Sequence, residues 1–456
     1  MVVGQEVVRA GVGAVALPLR LGRPLMGYGA RTGGAAALHD PLHARALYLA
    51  GRSDCLIVSL EVCLIAPAQA DFVRAQLERN TGVPRERILV ACIHTHAGPE
   101  TGIAALAAGK AAPADVAELL DAAVRAGETA VRGSGPARLS LAHAEARIGV
   151  NRSRAGGPCD PSALVLRVDD ASGAPRAVLY SYGCHPTALG PENLAWSADW
   201  PWAAGRAIAE ALPGAEPIFL LGAHADVDPR TRGVKDLAET GKTRGVGFDE
   251  VEKLGREVGE AVASAALDAA PLRSSLALGA LASRVRLAAH REDEQQRRAA
   301  LAALDLPADA ELSTGDFFRL ETERTQGLAP EQRRERIARV RTYLRGRMAS
   351  RFAGGAVADV EVQVLRVGEA RFAALPLEAT AEVGIDWRRR IGSQSAALLS
   401  IANGWLRYLP HARDFHEPGG DRHYEVLMST FEPDAAALLL DEAERLDLRL
   451  ATELGA

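Results

Sequence analysis

Long apolar runs are missing from this sequence. Nowhere do as many as about 18 uncharged apolar residues follow one another, so no integral membrane segment is expected. Paired cysteines are missing too. The five cysteines (Cys55, Cys63, Cys92, Cys159 and Cys184) are odd in number, scattered, and form no Cys-x-x-Cys pair. Each lies in or beside an apolar stretch, where a thiol behaves as a small hydrophobe. That excludes a disulfide framework and favours a reducing compartment. An excess of charge of one sign is also absent: 53 Lys and Arg stand against 58 Asp and Glu, for a net charge of −5. No nucleic-acid partner or anionic membrane surface follows from such a balance. Lysine is scarce beside arginine, a compositional bias rather than a functional sign. Glu6 and Arg9 precede any apolar run, so no secretory leader is expected and the protein should be cytoplasmic.

What is present is a globular composition, 48% hydrophobic and 24% charged, in 456 residues, enough for a sizeable core. Apolar runs at Leu56–Leu60, Ile88–Ile93, Ala163–Val168, Ala177–Tyr182 and Pro217–Leu221 read as strands. Between them, Ala68–Asn80 (stopped at Gly82), Ala114–Val131 (after Pro113) and Trp202–Leu212 read as helices. Val360–Val367 and Arg371–Leu375 form a hairpin pattern around Gly368-Glu369, and Ala435–Ala451 a last helix. The alternation predicts an α/β fold, a mixed β-sheet core flanked by helices. We expect a single catalytic domain over residues 1–456, with a charged, Arg/Glu-rich helical insertion at about 285–355.

Polar residues at strand ends carry the chemistry, because the loops there converge above the sheet. His94 and His96 follow one strand, and residues two apart in an extended segment share a face. His185 follows a second strand. His224, Asp226 and Asp228 follow a third, where an Asp-Pro turn is the structural alternative. Glu378 follows a fourth. Read alone, His185 suits a hydrogen-bonded core histidine and Glu378 a solvated carboxylate. Taken together, His94, His185 and Glu378 supply the donors of a catalytic zinc site, which keeps one position for water.

Short motifs in consistent order resemble the neutral/alkaline non-lysosomal ceramidase family. They are Val8-Arg9-Ala10-Gly11 through Leu25-Met26-Gly27-Tyr28, Leu42-His43-Ala44-Arg45-Ala46, His94-Thr95-His96-Ala97-Gly98-Pro99, Asn151-Arg152-Ser153, and His185-Pro186-Thr187 with Ser197-Ala198-Asp199. Towards the end come Leu375-Pro376-Leu377-Glu378, Asn403-Gly404-Trp405-Leu406-Arg407-Tyr408, and Tyr424-Glu425 with Ser429-Thr430. The resemblance implies zinc, with His94, His185, Glu378 and Tyr408 on the family's ligand positions. It places His96 beside the metal and Arg152 against the reacting group. By spacing alone Tyr408 is a core aromatic and Arg152 a loop charge. Two departures stand out. Asp228 in Ala225-Asp226-Val227-Asp228-Pro229 occupies the family's serine position, and no C-terminal immunoglobulin-like domain is expected.

The expected activity is therefore zinc-dependent cleavage of an amide bond in a small-molecule, soluble or non-ceramide N-acyl substrate. Asp228 or His96 would act as base and Arg152 would stabilise the oxyanion. Three alternatives stay open: an esterase, lactonase or lactam hydrolase on the same metal; a second metal held by His96, His224, Asp226 and Asp228; and an inactive binding module. Trp196, Trp200 and Trp202 either line an apolar pocket or belong to the core.

Overall fold

The computed structural model describes residues 8–29, 31–107, 110–232, 245–273, 277–289, 294–310, 327–329, 331–332, 335–336, 340, 357–417 and 423–455. Two sheets lie face to face. The larger runs in the order Glu216–Leu221, Pro175–Tyr182, Ser162–Asp170, Gly135–Glu145, Arg9–Ala16, His43–Ala50, Asp54–Leu60, Ile88–Cys92. It is parallel at its two ends, between Glu216–Leu221 and Pro175–Tyr182 and between Asp54–Leu60 and Ile88–Cys92. The smaller sheet orders Leu278–Ala288, Val357–Val367, Ala370–Ala374 and Ala396–Leu399.

Period-two alternation explains why the central strands read as unbroken apolar runs. In Asp54–Leu60, the side chains of Leu56, Val58 and Leu60 join a core under the helices Pro67–Thr81, Val116–Arg132, Trp200–Ala211 and Phe248–Leu267. Cys55 and Ile57 point the other way, into a core shared with Leu365, Val367 and Phe372 of the smaller sheet. The outer face of that sheet is covered by Ala381–Ile391 and Ala435–Leu454 through Val383, Trp387, Leu439 and Leu446. The α/β expectation of a mixed sheet flanked by helices thus holds, with a second sheet inserted between the large sheet and one helical layer.

The helix Phe248–Leu267 is one the periodicity reading passes over. Its buried stripe contains Gly255 and Gly259, which lower helix propensity. A Cβ there would lie 2.3 Å from Trp200 O and 2.4 Å from Ala204 O, so the glycines allow a close crossing of two helices. In the predicted insertion, residues 285–288 finish the strand Leu278–Ala288 and Glu294–Ala303 is helical. Most of the insertion beyond residue 310, through residue 356, lies outside the described residues.

The two sheets are stitched together at one end. Ser400 N donates to Leu221 O (2.9 Å), Cys92 N to Ile401 O (3.2 Å) and Asn403 N to Val90 O (2.7 Å). Ile401, Asn403 and Arg407 in this crossing segment have positive φ, at 51°, 59° and 78°. Such conformations cost about 1–3 kcal/mol each and persist where surrounding contacts over-determine them. No described helix is long and apolar enough to cross a membrane, and all five cysteines are free thiols.

Candidate metal centre

Four strand ends meet at the stitched edge. Each delivers one buried side chain to a common point: His94, His185, His224 and Glu378, whose donor atoms all lie within 4.8 Å of one another. The ring centroids of His94 and His185 are 5.2 Å apart, and those of His185 and His224 4.4 Å.

Backbone carbonyls set the tautomers. His94 Nδ1 lies 3.1 Å from Cys63 O, His185 Nδ1 3.0 Å from Val227 O, and His224 Nδ1 3.0 Å from Gly222 O. A carbonyl only accepts, so each Nδ1 carries the proton and each Nε2 offers a lone pair. All three Nε2 atoms face Glu378 Oε2, at 3.4 Å (His94), 3.7 Å (His185) and 3.6 Å (His224). The other carboxylate oxygen, Oε1, accepts from Trp405 Nε1 at 2.7 Å. His224 Nε2 and Glu378 Oε2 are buried without a hydrogen-bond partner.

Lone pairs turned on one another in a buried site need positive charge between them. Tetrahedral zinc with bonds of about 2.0–2.1 Å spaces its ligands about 3.3–3.4 Å apart, close to the separations seen here. The donor types and their tautomers fit a divalent metal. Electrostatics agree. Burial holds His185 well below the usual imidazole range and lowers His224, favouring the neutral, ligating ring. Burial opposes charge on Glu378, yet His94 and the other rings keep its carboxyl well below the ordinary range. His94 alone is drawn upward, by Cys63 and Glu378 against burial.

His94 and His96 do meet, with Nε2 atoms 3.4 Å apart, but not as two residues of an extended strand. His94 has φ 69°, a left-handed kink that turns its ring inward. His96 then packs edge-on against Tyr28, with ring centroids 4.7 Å apart. Gly27 must be glycine at this approach: its φ is +109°, and a Cβ would lie 2.3 Å from His96 Cγ.

Arg152 reaches the site from the end of the strand Gly149–Asn151, which pairs with Val227–Pro229 and sets Asp228 opposite Val150. Its Nε donates to Glu425 Oε1 at 2.7 Å and its Nη1 to Asp228 Oδ1 at 3.4 Å, while Nη2 is buried without a partner. Asp228 Oδ1 lies 3.6 Å from His185 Nδ1, on the ring edge turned away from the other histidines. Tyr408 stands opposite Glu378 in the paired strands Glu378–Ala379 and Tyr408–Leu409. Burial first, and Glu378 next, hold its phenol firmly protonated.

His224 is the donor that sequence reasoning assigned elsewhere, to a second metal. Asp226, another member of that set, has both oxygens engaged, by Ala381 N at 2.7 Å and Asn151 Nδ2 at 2.6 Å. Among the described residues, no metal-type group unites His96, His224, Asp226 and Asp228. A separate group, Asp414, Glu417 and His423, already has positive charge, because the Arg154 guanidinium contacts both carboxylates. Trp196 and Trp200 are fully buried core residues, and Trp200 Nε1 braces the His185 carbonyl at 3.0 Å.

A two-sheet α/β sandwich with a metal-type centre at the strand ends defines the class. Solved structures narrow the fold. The chain superposes on a ceramidase complexed with C2 at a TM-score of 0.72 and 17% identity, over 98% of this chain and 76% of that one. It superposes on the neutral ceramidase from Pseudomonas aeruginosa at a TM-score of 0.70 and 19% identity, over 98% and 75% respectively. The chain has the neutral ceramidase fold, and at this identity the likeness is one of fold. No family profile matches the sequence, and no curated protein matches it significantly.

Proposed function

We propose that this chain is a zinc-dependent hydrolase that cleaves the amide bond of a soluble or non-ceramide N-acyl substrate. The observation that carries the reading is the convergence of three Nε2 lone pairs and Glu378 Oε2 on one buried point. His94, His185, His224 and Glu378 would hold the ion, with the Tyr408 phenol beside them. A divalent metal bound there supplies Lewis acidity toward an amide carbonyl and toward water.

The chain's own groups supply the rest. His96 presents Nε2 to the centre, and burial favours its neutral ring. It can take a proton from water and return it to the departing nitrogen. Arg152, fixed by Glu425 and Asp228, has its Nη2 donor in reserve for charge developing on the carbonyl oxygen. Asp228 was the other candidate base. Its contacts with Arg152 and the far edge of His185 favour a positioning role instead. Asp228 in place of a serine is also the reason to look beyond ceramide.

A screen of N-acyl amides, ceramide included, tests the proposal on the purified chain before chelation, after it, and after zinc is returned. Hydrolysis of at least one short N-acyl amide should vanish on chelation and recover with zinc. Turnover that ignores the chelator would overturn the reading.

A further inference from the structure

A guanidinium offers its Nε–H and one Nη–H along a single edge, a fork that matches the two oxygens of a carboxylate or phosphate. Arg366 shows the fork closed: Nε and Nη2 donate to the two oxygens of Asp447 at 2.7 and 2.8 Å. Arg232 shows the same edge open. Its Nη1 donates to Tyr28 Oη at 2.8 Å and Thr187 O at 2.9 Å, which fixes the plane of the group. Its Nε and Nη2 are both buried and have no hydrogen-bond partner. The nearby Asp199 carboxylate does not fill the gap, because it is turned to the backbone N–H groups of Ala188, Leu189 and Trp200.

A second arginine lies close by, with a single donor open. Arg31 donates through Nη1 to the carbonyls of His96 (2.8 Å) and Met26 (3.2 Å) and through Nη2 to Gly190 O (3.5 Å), while its Nε alone is buried without a partner. Arg31 and Arg232 lie over the ring of Tyr28, with guanidinium carbons 5.0 and 5.4 Å from its centroid. That same ring abuts His96, whose Nε2 faces the metal-type cluster. Two part-buried cations with donors in reserve thus sit one aromatic ring away from the reacting groups. Burying charge without a partner is costly, and an incoming anion removes that cost.

We propose that Arg232, supported by Arg31, anchors an anionic group of the substrate, a carboxylate carried by the N-acyl amide away from the scissile bond. This rests on the hydrolase reading and names the substrate class for it. The anchor orients the amide, and a neutral lipid amide leaves it empty.

The test separates anchoring from catalysis. Binding of N-hexanoylglycine, its methyl ester, and N-hexanoyl-ethanolamine phosphate to the zinc-loaded chain is measured by calorimetry, and turnover of each is measured separately. The acid should bind about tenfold or more tightly than the ester, as expected for charge-assisted hydrogen bonds to one group. Arg232→Met should erase the difference, and Arg232→Lys, which keeps the charge but not the fork, should erase most of it. Unchanged zinc content in both variants shows that the fold is intact. Tighter binding of the phosphate would keep the anchor and change the anion. An acid-over-ester preference that survives in both variants, or is absent from the wild type, overturns the anchor. Binding discrimination without turnover of any probe would sink the hydrolase reading and leave the anchor standing.

Discussion

Two sets of buried polar side chains in this molecule have opposite fates. Arg366 and Asp447, behind the smaller sheet, are 4% and 4% exposed and close on each other through two short hydrogen bonds. His94, His185, His224 and Glu378 are buried as deeply, yet two of their inward-facing atoms have no hydrogen-bond partner. A closed pair is complete once the chain has folded. An open set of acceptors, with tautomers fixed by carbonyls outside it, is arranged to suit a cation. The contrast separates structural burial from functional burial without reference to any relative.

The largest expected effect breaks the open set. Glu378→Gln removes the carboxylate of the cluster, so metal per chain should fall to near zero and hydrolysis should drop by more than the roughly 10–100-fold cost of losing an outer partner. Metal analysis and turnover on the same sample check it. The next breaks the closed pair. Asp447→Ala leaves Arg366 buried and unpaired, so unfolding in urea should show a loss of about 3–5 kcal/mol while metal content stays at the wild-type value. A smaller effect sharpens the comparison: Trp405→Phe removes the indole donor that turns Glu378 Oε2 toward the histidines. Metal affinity, read by chelator competition, should weaken by about 10–100-fold with little change in stability.

The smallest effect concerns a buried carboxyl held by backbone alone. Burial pushes Asp199 up from 3.8 to about 6. The folded chain therefore binds a proton more tightly than the unfolded chain, and this contribution is fully present below pH 3.8. It is lost as pH rises towards about 6 and is flat above that. The slope should reach no more than ~1.4 kcal/mol per pH unit. Asp199→Asn should remove it from a pH series of unfolding curves.

Much of the site was legible because a polar side chain directly after an apolar run is conspicuous: His94, His185 and Glu378 stand out that way. His224 stood out equally, but its neighbours Asp226 and Asp228 drew it into a different grouping. Only the crossing of the two sheets reveals that Asp226 caps Ala381 while His224 turns inward. The left-handed turn at His94 and the bond from Trp405 to Glu378 are three-dimensional facts with no sequence period. The fold class was readable from alternating elements. The second sheet was not, because residues buried on both faces, as in Asp54–Leu60, give a continuous run that does not say what lies on either side. Arg31 and Arg232 carried no signal at all, since an arginine with an unpartnered donor is spelled like any other.

Anomalous scattering from crystals of the purified chain at the zinc absorption edge tests the account most directly. We predict one strong peak per chain within about 2.0–2.2 Å of the Nε2 atoms of His94, His185 and His224 and of Glu378 Oε2. No peak there after zinc loading, or a peak only at Asp414, Glu417 and His423, would contradict it.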